Sequence, residues 1–168
     1  MPDVNVDPIL VDTAIDNLSN VDQTVTLVAG GEIGNINNFV DSTLNIEDGV
    51  VGNQLAVTGS QVNITGGVVG DEFGAFVSEV NISGGEVGGD FEAFAGTVVN
   101  ISGGEVGSEL VAFAGSEVNI TGGVVGDENC TALSEFSCST LVARDGSCLL
   151  YTSPSPRDQR GSRMPSSA

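Results

Sequence analysis

From about Thr24 to Ser139 the hydrophobic positions recur in one frame. Val62-Asn63-Ile64-Thr65-Gly66-Gly67, Val80-Asn81-Ile82-Ser83-Gly84-Gly85, Val99-Asn100-Ile101-Ser102-Gly103-Gly104 and Val118-Asn119-Ile120-Thr121-Gly122-Gly123 are nearly identical, and Leu44-Asn45-Ile46-Glu47-Asp48-Gly49 is a weaker copy. Within each unit Val and Ile alternate with Asn and Ser or Thr. That period of two predicts a strand with Val and Ile on one face and the polar residues on the other. The Gly-Gly pair then permits a sharp corner. A second glycine column, Gly34, Gly52, Gly70, Gly88, Gly107 and Gly126, advances in steps of 18, 18, 18, 19 and 19, each glycine preceded by Ile or Val. Those short apolar steps form a second side. A third carries Phe73/Phe76, Phe91/Phe94 and Leu110/Phe113.

Three short sides and three corners suit a repeat of 18–19 residues. The predicted fold is all-β: a single-stranded parallel β-solenoid (β-helix) of three-sided coils. One coil cannot bury its own apolar face, but stacked coils give continuous Val, Ile and Phe columns. At ~4.8 Å per coil, six or seven coils make a rod on the order of 30 Å long. Helices are a poor alternative, because Gly-Gly recurs in every unit and glycine destabilises helices. Residues 1–23, rich in Asp and Asn but without the Gly-Gly corner, read as an N-terminal cap or a degenerate coil. Residues 24–147 read as the solenoid, with Ser134-Glu135-Phe136-Ser137-Cys138-Ser139 aligning on Ser78-Glu79-Val80-Asn81-Ile82-Ser83.

Residues 148–168 break the pattern. Cys148-Leu149-Leu150-Tyr151-Thr152-Ser153-Pro154-Ser155-Pro156-Arg157-Asp158 and Ser162 to Ala168 resemble the in-frame translation of a sequencing adapter, with Gln159-Arg160-Gly161 where an index would fall. This segment is expected to be a non-native, disordered tail that stands in place of further coils of the same full-length protein.

Charge narrows the partners. The chain carries 23 Asp and Glu against four Lys and Arg, and no His. Three of the four bases, Arg157, Arg160 and Arg163, lie in the tail, leaving Arg144 alone in the rest. Nucleic-acid binding needs a positive surface that releases counterions, so it is excluded as an expectation, and anionic membranes are disfavoured for the same reason. No apolar run is long enough to span a bilayer, and no basic-then-apolar leader is visible.

The Val-Asn-Ile-Ser/Thr-Gly-Gly unit with its Phe-Ala-Phe-like third side resembles the repeat arrays of secreted bacterial parallel β-helix proteins of the autotransporter-passenger or adhesin type. The resemblance covers about Thr24 to Ser139. It implies an extracellular or cell-surface location and contact with an extracellular glycan or cell-surface matrix.

Three sets of residues are candidates for chemistry. Glu72, Asp90, Glu109 and Glu128 hold one place in four successive coils, with Asp71 and Asp127 beside them; Glu79, Glu117 and Glu135 form a second, interrupted column. Carboxylates stacked ~4.8 Å apart repel by roughly 1 kcal/mol per adjacent pair even at water's dielectric. Calcium, which takes several carboxylate and carbonyl oxygens, would relieve this; the bland alternative is a solvated acidic face. Gly84 to Asp90 is similar to the calcium-binding nonapeptide Gly-Gly-x-Gly-x-Asp, but with an inserted residue and a doubled period, so those ligands are not carried over. The second set is the polar face Asn63/Thr65, Asn81/Ser83, Asn100/Ser102 and Asn119/Thr121, a grid suited either to a glycan or to mutual amide stacking. The third is Cys130 and Cys138, which without His cannot complete a zinc site. Catalysis is not expected. A polysaccharide-active β-helix enzyme is the remote alternative, but the carboxylates recur in every coil, and a lyase would need more bases than Arg144. The expected role is therefore a non-enzymatic structural segment, a rigid acidic spacer or adhesive rod. A glycan-binding module is the alternative.

Overall fold

The computed structural model describes residues 9–15, 18, 20–126, 140–143 and 148–151. Each turn of the chain contributes one strand to each of three sheets. The first turn holds β1 (Ile9–Val11), β2 (Ala14–Ile15) and β3 (Asn20–Val21), and the second β4 (Thr24–Leu27), β5 (Glu32–Ile33) and β6 (Asn37–Val40). Next come β7 (Thr43–Ile46), β8 (Val50–Val51) and β9 (Leu55–Thr58), then β10 (Gln61–Ile64), β11 (Val68–Val69) and β12 (Gly74–Phe76). The following turns are β13 (Glu79–Ile82), β14 (Glu86–Val87) and β15 (Phe91–Ala93), and β16 (Val98–Ile101), β17 (Glu105–Val106) and β18 (Glu109–Ala112). The last strands are β19 (Glu117–Ile120), β20 (Val124–Val125), β21 (Thr140–Ala143) and β22 (Cys148–Tyr151).

All strand pairs are parallel, and each strand lies on the one a turn below. The first sheet runs β1-β4-β7-β10-β13-β16-β19-β22, the second β2-β5-β8-β11-β14-β17-β20, and the third β3-β6-β9-β12-β15-β18-β21. The predicted all-β parallel solenoid is therefore the observed fold, and the strands among the described residues include no helix. The register is the one the repeats imply: Val62 faces Leu44 below and Val80 above, and Asn63 faces Asn45 and Asn81. β1, β2 and β3, despite the lack of a Gly-Gly corner in this stretch, enter all three sheets. At the other end the spacing changes. Glu109 faces Thr140 and Glu117 faces Cys148, so Cys148–Tyr151, the start of the segment that resembles adapter sequence, lies on β19. Residues 134–139, expected at that place, lie outside the described residues, as do residues 152–168.

The core is a bundle of columns. Val80 and Ile82 and their counterparts from β4 to β19 point inward from the first sheet, Val51, Val69, Val87 and Val106 from the second, and all are buried. In the third sheet two inward columns exchange volume from turn to turn. Asn37 sits beside Phe39, Leu55 beside Val57, Phe73 beside Ala75, and Phe91 beside Ala93, all buried. A large side chain in one column meets a small one in the other, which keeps the interior filled at a constant cross-section. The phenylalanines of each pair on this side are three residues apart, so strand alternation sends them to opposite faces. Phe73 and Phe91 stack inside, with centroids 4.5 Å apart, while Phe76, Phe94 and Phe113 stack outside at 4.1 and 4.6 Å.

Each coil turns at three corners, and each has a column of residues with left-handed backbone. Gly49, Gly67, Gly85, Gly104 and Gly123, the second residues of the Gly-Gly pairs or their equivalent, have φ between 73° and 89°. The preceding glycine is needed for another reason: a Cβ on Gly84 would collide with the carbonyl oxygen of Thr65 in the turn below. The second corner is Ile36, Gln54, Glu72 and Asp90, with φ of 62°, 64°, 63° and 57°. The third is Asp22, Asp41, Gly59, Val77, Gly96 and Gly115. Only the first of these announces itself by composition.

Candidate functional site

The polar face of the first sheet is built by strand alternation, which turns Asn63, Asn81, Asn100 and Asn119 outward between buried Val and Ile. Because parallel stacking is in register, each amide lies over an identical one. Asn63 Nδ2 donates to Asn45 Oδ1 (2.9 Å), Asn81 Nδ2 to Asn63 Oδ1 (3.1 Å), Asn100 Nδ2 to Asn81 Oδ1 (2.9 Å) and Asn119 Nδ2 to Asn100 Oδ1 (3.0 Å). The chain of amides runs in one direction along the axis. Glu79 and Glu117 accept the second N–H of Asn81 and Asn119, at 3.1 and 3.0 Å. Beside the ladder, the hydroxyls of Thr65, Ser83, Ser102 and Thr121 donate to carbonyls of Ile46, Ile64, Ile82 and Ile101 one turn below, at 3.3–3.4 Å. The grid is thus internally bonded, with the hydroxyls exposed and the amides half-buried.

A second hydroxyl ladder is buried. Ser42, Ser60, Ser78, Thr97 and Ser116 stand where the third sheet turns into the first, each at most 5% exposed. The backbone N–H of Ser42 donates to Ser60 Oγ (3.1 Å) and that of Ser60 to Ser78 Oγ (3.1 Å). Ser78 Oγ in turn donates to the Phe76 carbonyl (2.7 Å), and Thr97 Oγ1 to that of Ala75 (2.9 Å). The sequence reading missed this column. Its signal is a Ser or Thr two residues before each Val/Leu of the first sheet, at the same 18- or 19-residue spacing.

No protein-family model, curated protein or solved structure matches this chain.

The acidic column occupies the second corner. Glu72 and Asp90 hold the left-handed position, whereas Glu109 opens β18. Asp71 is already engaged: its Oδ1 accepts the Gly89 N–H (2.8 Å), as Asn53 Oδ1 accepts that of Asp71 (3.1 Å) and Asn35 Oδ1 that of Asn53 (2.8 Å). Glu72 Oε2 accepts from Gln54 Nε2 (2.9 Å). Among the described residues no three or more His, Cys, Asp or Glu are gathered so as to hold a metal ion. The carboxylates are strung along the axis rather than gathered around a point. Asp127, Glu128, Glu135, Cys130 and Cys138 lie outside the described residues.

The described residues form a concave feature beside this column. An open groove of about 560 Å³ runs over the outer face of the third sheet, lined by Gln54, Glu72, Asp90 and Glu109 on the corner side and by Ala56, Gly74, Glu92 and Val111 along its floor. The sequence drew attention to three of its carboxylates but not to Glu92 or to the floor. The floor is low because Ala56 and Gly74 bring little or no side chain to positions that face out. No helix among the described residues is long and apolar enough to cross a membrane.

Proposed function

We propose that this chain is a non-enzymatic structural segment of a secreted or cell-surface bacterial protein, a rigid acidic spacer or adhesive rod. The observation that carries this reading is the direction of the side-chain hydrogen bonds. The Asn63, Asn81, Asn100 and Asn119 amides, the outer Ser/Thr hydroxyls, the buried Ser60 and Ser78 oxygens and the corner Asn53 and Asp71 side chains each make a bond to the turn above or below. Bonds along the axis join coil to coil and resist bending and fraying, while they spend the donors that a ligand face would need. With 23 acids on the whole chain, the surface keeps neighbouring rods apart and soluble. The bacterial and extracellular setting rests on the resemblance of the repeat unit alone.

Two measurements test the proposal. Small-angle scattering should give a rod whose cross-section is unchanged between low and high salt, as expected when buried columns and ladders, not surface charges, set its shape. Incubation with neutral and acidic polysaccharides should release neither reducing ends nor unsaturated uronates. A cross-section that swells at low salt would overturn the rod, and turnover would overturn the non-enzymatic reading in favour of a polysaccharide-active β-helix. Binding of neutral glycans, lost on Asn81→Ala and Asn100→Ala, would favour the glycan-binding alternative.

A further inference from the structure

The outer face of the third sheet differs from the other two. Its corner column is Gln54, Glu72, Asp90 and Glu109; its middle column is Ala56, Gly74, Glu92 and Val111; its far column includes Phe76, Phe94 and Phe113. The Phe76 ring leans toward the floor, since a Cβ on Gly74 would lie 3.4 Å from its Cε2. The result is a groove parallel to the axis with carboxylates along its corner side, and the phenyl stack stands just beyond its floor, Phe76 and Phe94 closest at Gly74. The carboxylate and phenyl columns are four residues apart along the strand, about 13 Å.

From this we infer that the groove docks an extended peptide segment in which basic and aliphatic side chains alternate. Four carboxylates, Glu72, Asp90, Glu92 and Glu109, border it, and the described residues contain no Lys, Arg or His to neutralise them. A complementary charge on this face can therefore come only from a partner. The phenyl stack selects against a sugar. Its rings are within 6° of parallel at 4.1–4.6 Å, so their faces are spent on one another and their apolar edges point outward. A sugar needs the faces, whereas an aliphatic side chain packs on the edges. An extended chain sends successive side chains to opposite sides, so one set meets the carboxylates and the other the rings. Phe76 at 38% and Val77 at 65% exposure offer apolar surface for the second set.

The inference uses the rod reading only for the rigid presentation of this face. Failure to bind would leave the scattering and turnover measurements untouched. The test is fluorescence anisotropy with the full chain and a labelled ten-residue peptide alternating Lys and Leu, at physiological salt. Controls are an oligolysine of equal charge, an alternating Lys-Ser peptide and a chitosan oligomer. The Lys-Leu peptide should bind at least tenfold more tightly than any control. Asp90→Asn, Glu92→Lys and Phe94→Ser should each weaken it several-fold or more, with circular dichroism unchanged, whereas Glu86→Gln on the second sheet should not. Equal binding of oligolysine, or equal sensitivity to Glu86→Gln, would reduce the effect to general acidic adsorption and overturn the proposal. Tighter binding of chitosan would overturn it in favour of a cationic glycan. Should Phe94→Ser fail to fold, Glu92→Lys decides alone, since it reverses the charge of the floor and leaves the phenyl stack in place.

Discussion

The asparagine ladder makes a prediction whose size follows from its geometry. Asn81 sits mid-stack and takes part in three hydrogen bonds: it donates to Asn63 Oδ1 and Glu79 Oε1, and accepts from Asn100 Nδ2. A hydrogen bond contributes about 0.5–1.5 kcal/mol net, and groups left without a partner are partly rescued by water when half-exposed. Asn81→Ala should therefore lower stability by about 1.5–3 kcal/mol. Asn119→Ala removes its donations to Asn100 and Glu117, and should lower it by about 1–2 kcal/mol. Ser83→Ala breaks one 3.4 Å contact at an exposed position and should cost under about 0.5 kcal/mol. Asn81→Asp is the sharper test. It conserves shape but cannot donate to Asn63, and it sets a carboxylate against Glu79, so it should be at least as damaging as Ala. Urea unfolding followed by circular dichroism, with slopes compared so that a change in midpoint means a change in stability, gives all four values. If Asn81→Ala matches Ser83→Ala, or Asn81→Asp is milder than Asn81→Ala, the ladder does not hold the coils together.

Other consequences follow from the core, the corners and the charge. Phe91→Ala, at a fully buried position stacked on Phe73, should cost about 3–5 kcal/mol, whereas Phe76→Ala on the outer face should cost under about 1.5 kcal/mol, measured by the same urea titration. Val77 is a β-branched residue at φ 49° and 65% exposed, and Asn tolerates left-handed backbone far better; Val77→Asn should raise the unfolding midpoint by the equivalent of about 0.5–1 kcal/mol, and a fall would refute the corner assignment. Thermal unfolding should shift upward with ionic strength, because the carboxylates repel and salt screens them. Calcium at matched ionic strength should add nothing saturable if no carboxylate cluster is formed; a saturable shift would identify real sites.

What the sequence displayed and what it concealed divide along physical lines. The Val-Asn-Ile-Ser unit shows both its period and its corner, because alternation and Gly-Gly are local signals, and the register of Asn63, Asn81, Asn100 and Asn119 follows from equal spacing. The other corners stayed hidden because their left-handed residues are chemically mixed. Ile36, Gln54, Glu72 and Asp90 share a backbone conformation imposed by the stack, not by their own preference. The same holds for Ser42 and Ser60, whose burial and bonding depend on the turn above. Phe73 and Phe76 were legible as one aromatic side, yet their spacing of three sends one into the core and the other to solvent.

Repetition itself has a physical meaning here that separates support from recognition. An Asn ladder works only if each amide finds an identical neighbour, so the column that bonds internally must repeat. A surface that meets a partner carries no such constraint. The middle column of the third sheet runs Ala56, Gly74, Glu92, Val111, the first two small enough to open the groove, the third charged, the last apolar and buried at its upper end. No internal ladder explains that succession, and the core exchange between Phe73 and Ala75 does not reach it, because it faces outward. The regular face of this solenoid is therefore the one that holds it together, and the irregular face is where its individuality lies. Replacing the middle column with alanine throughout would test this division: the three changes Gly74→Ala, Glu92→Ala and Val111→Ala together should leave the ladder and the rod intact while abolishing the difference between the Lys-Leu peptide and oligolysine. Loss of the fold instead would mean that the irregular column, too, is structural.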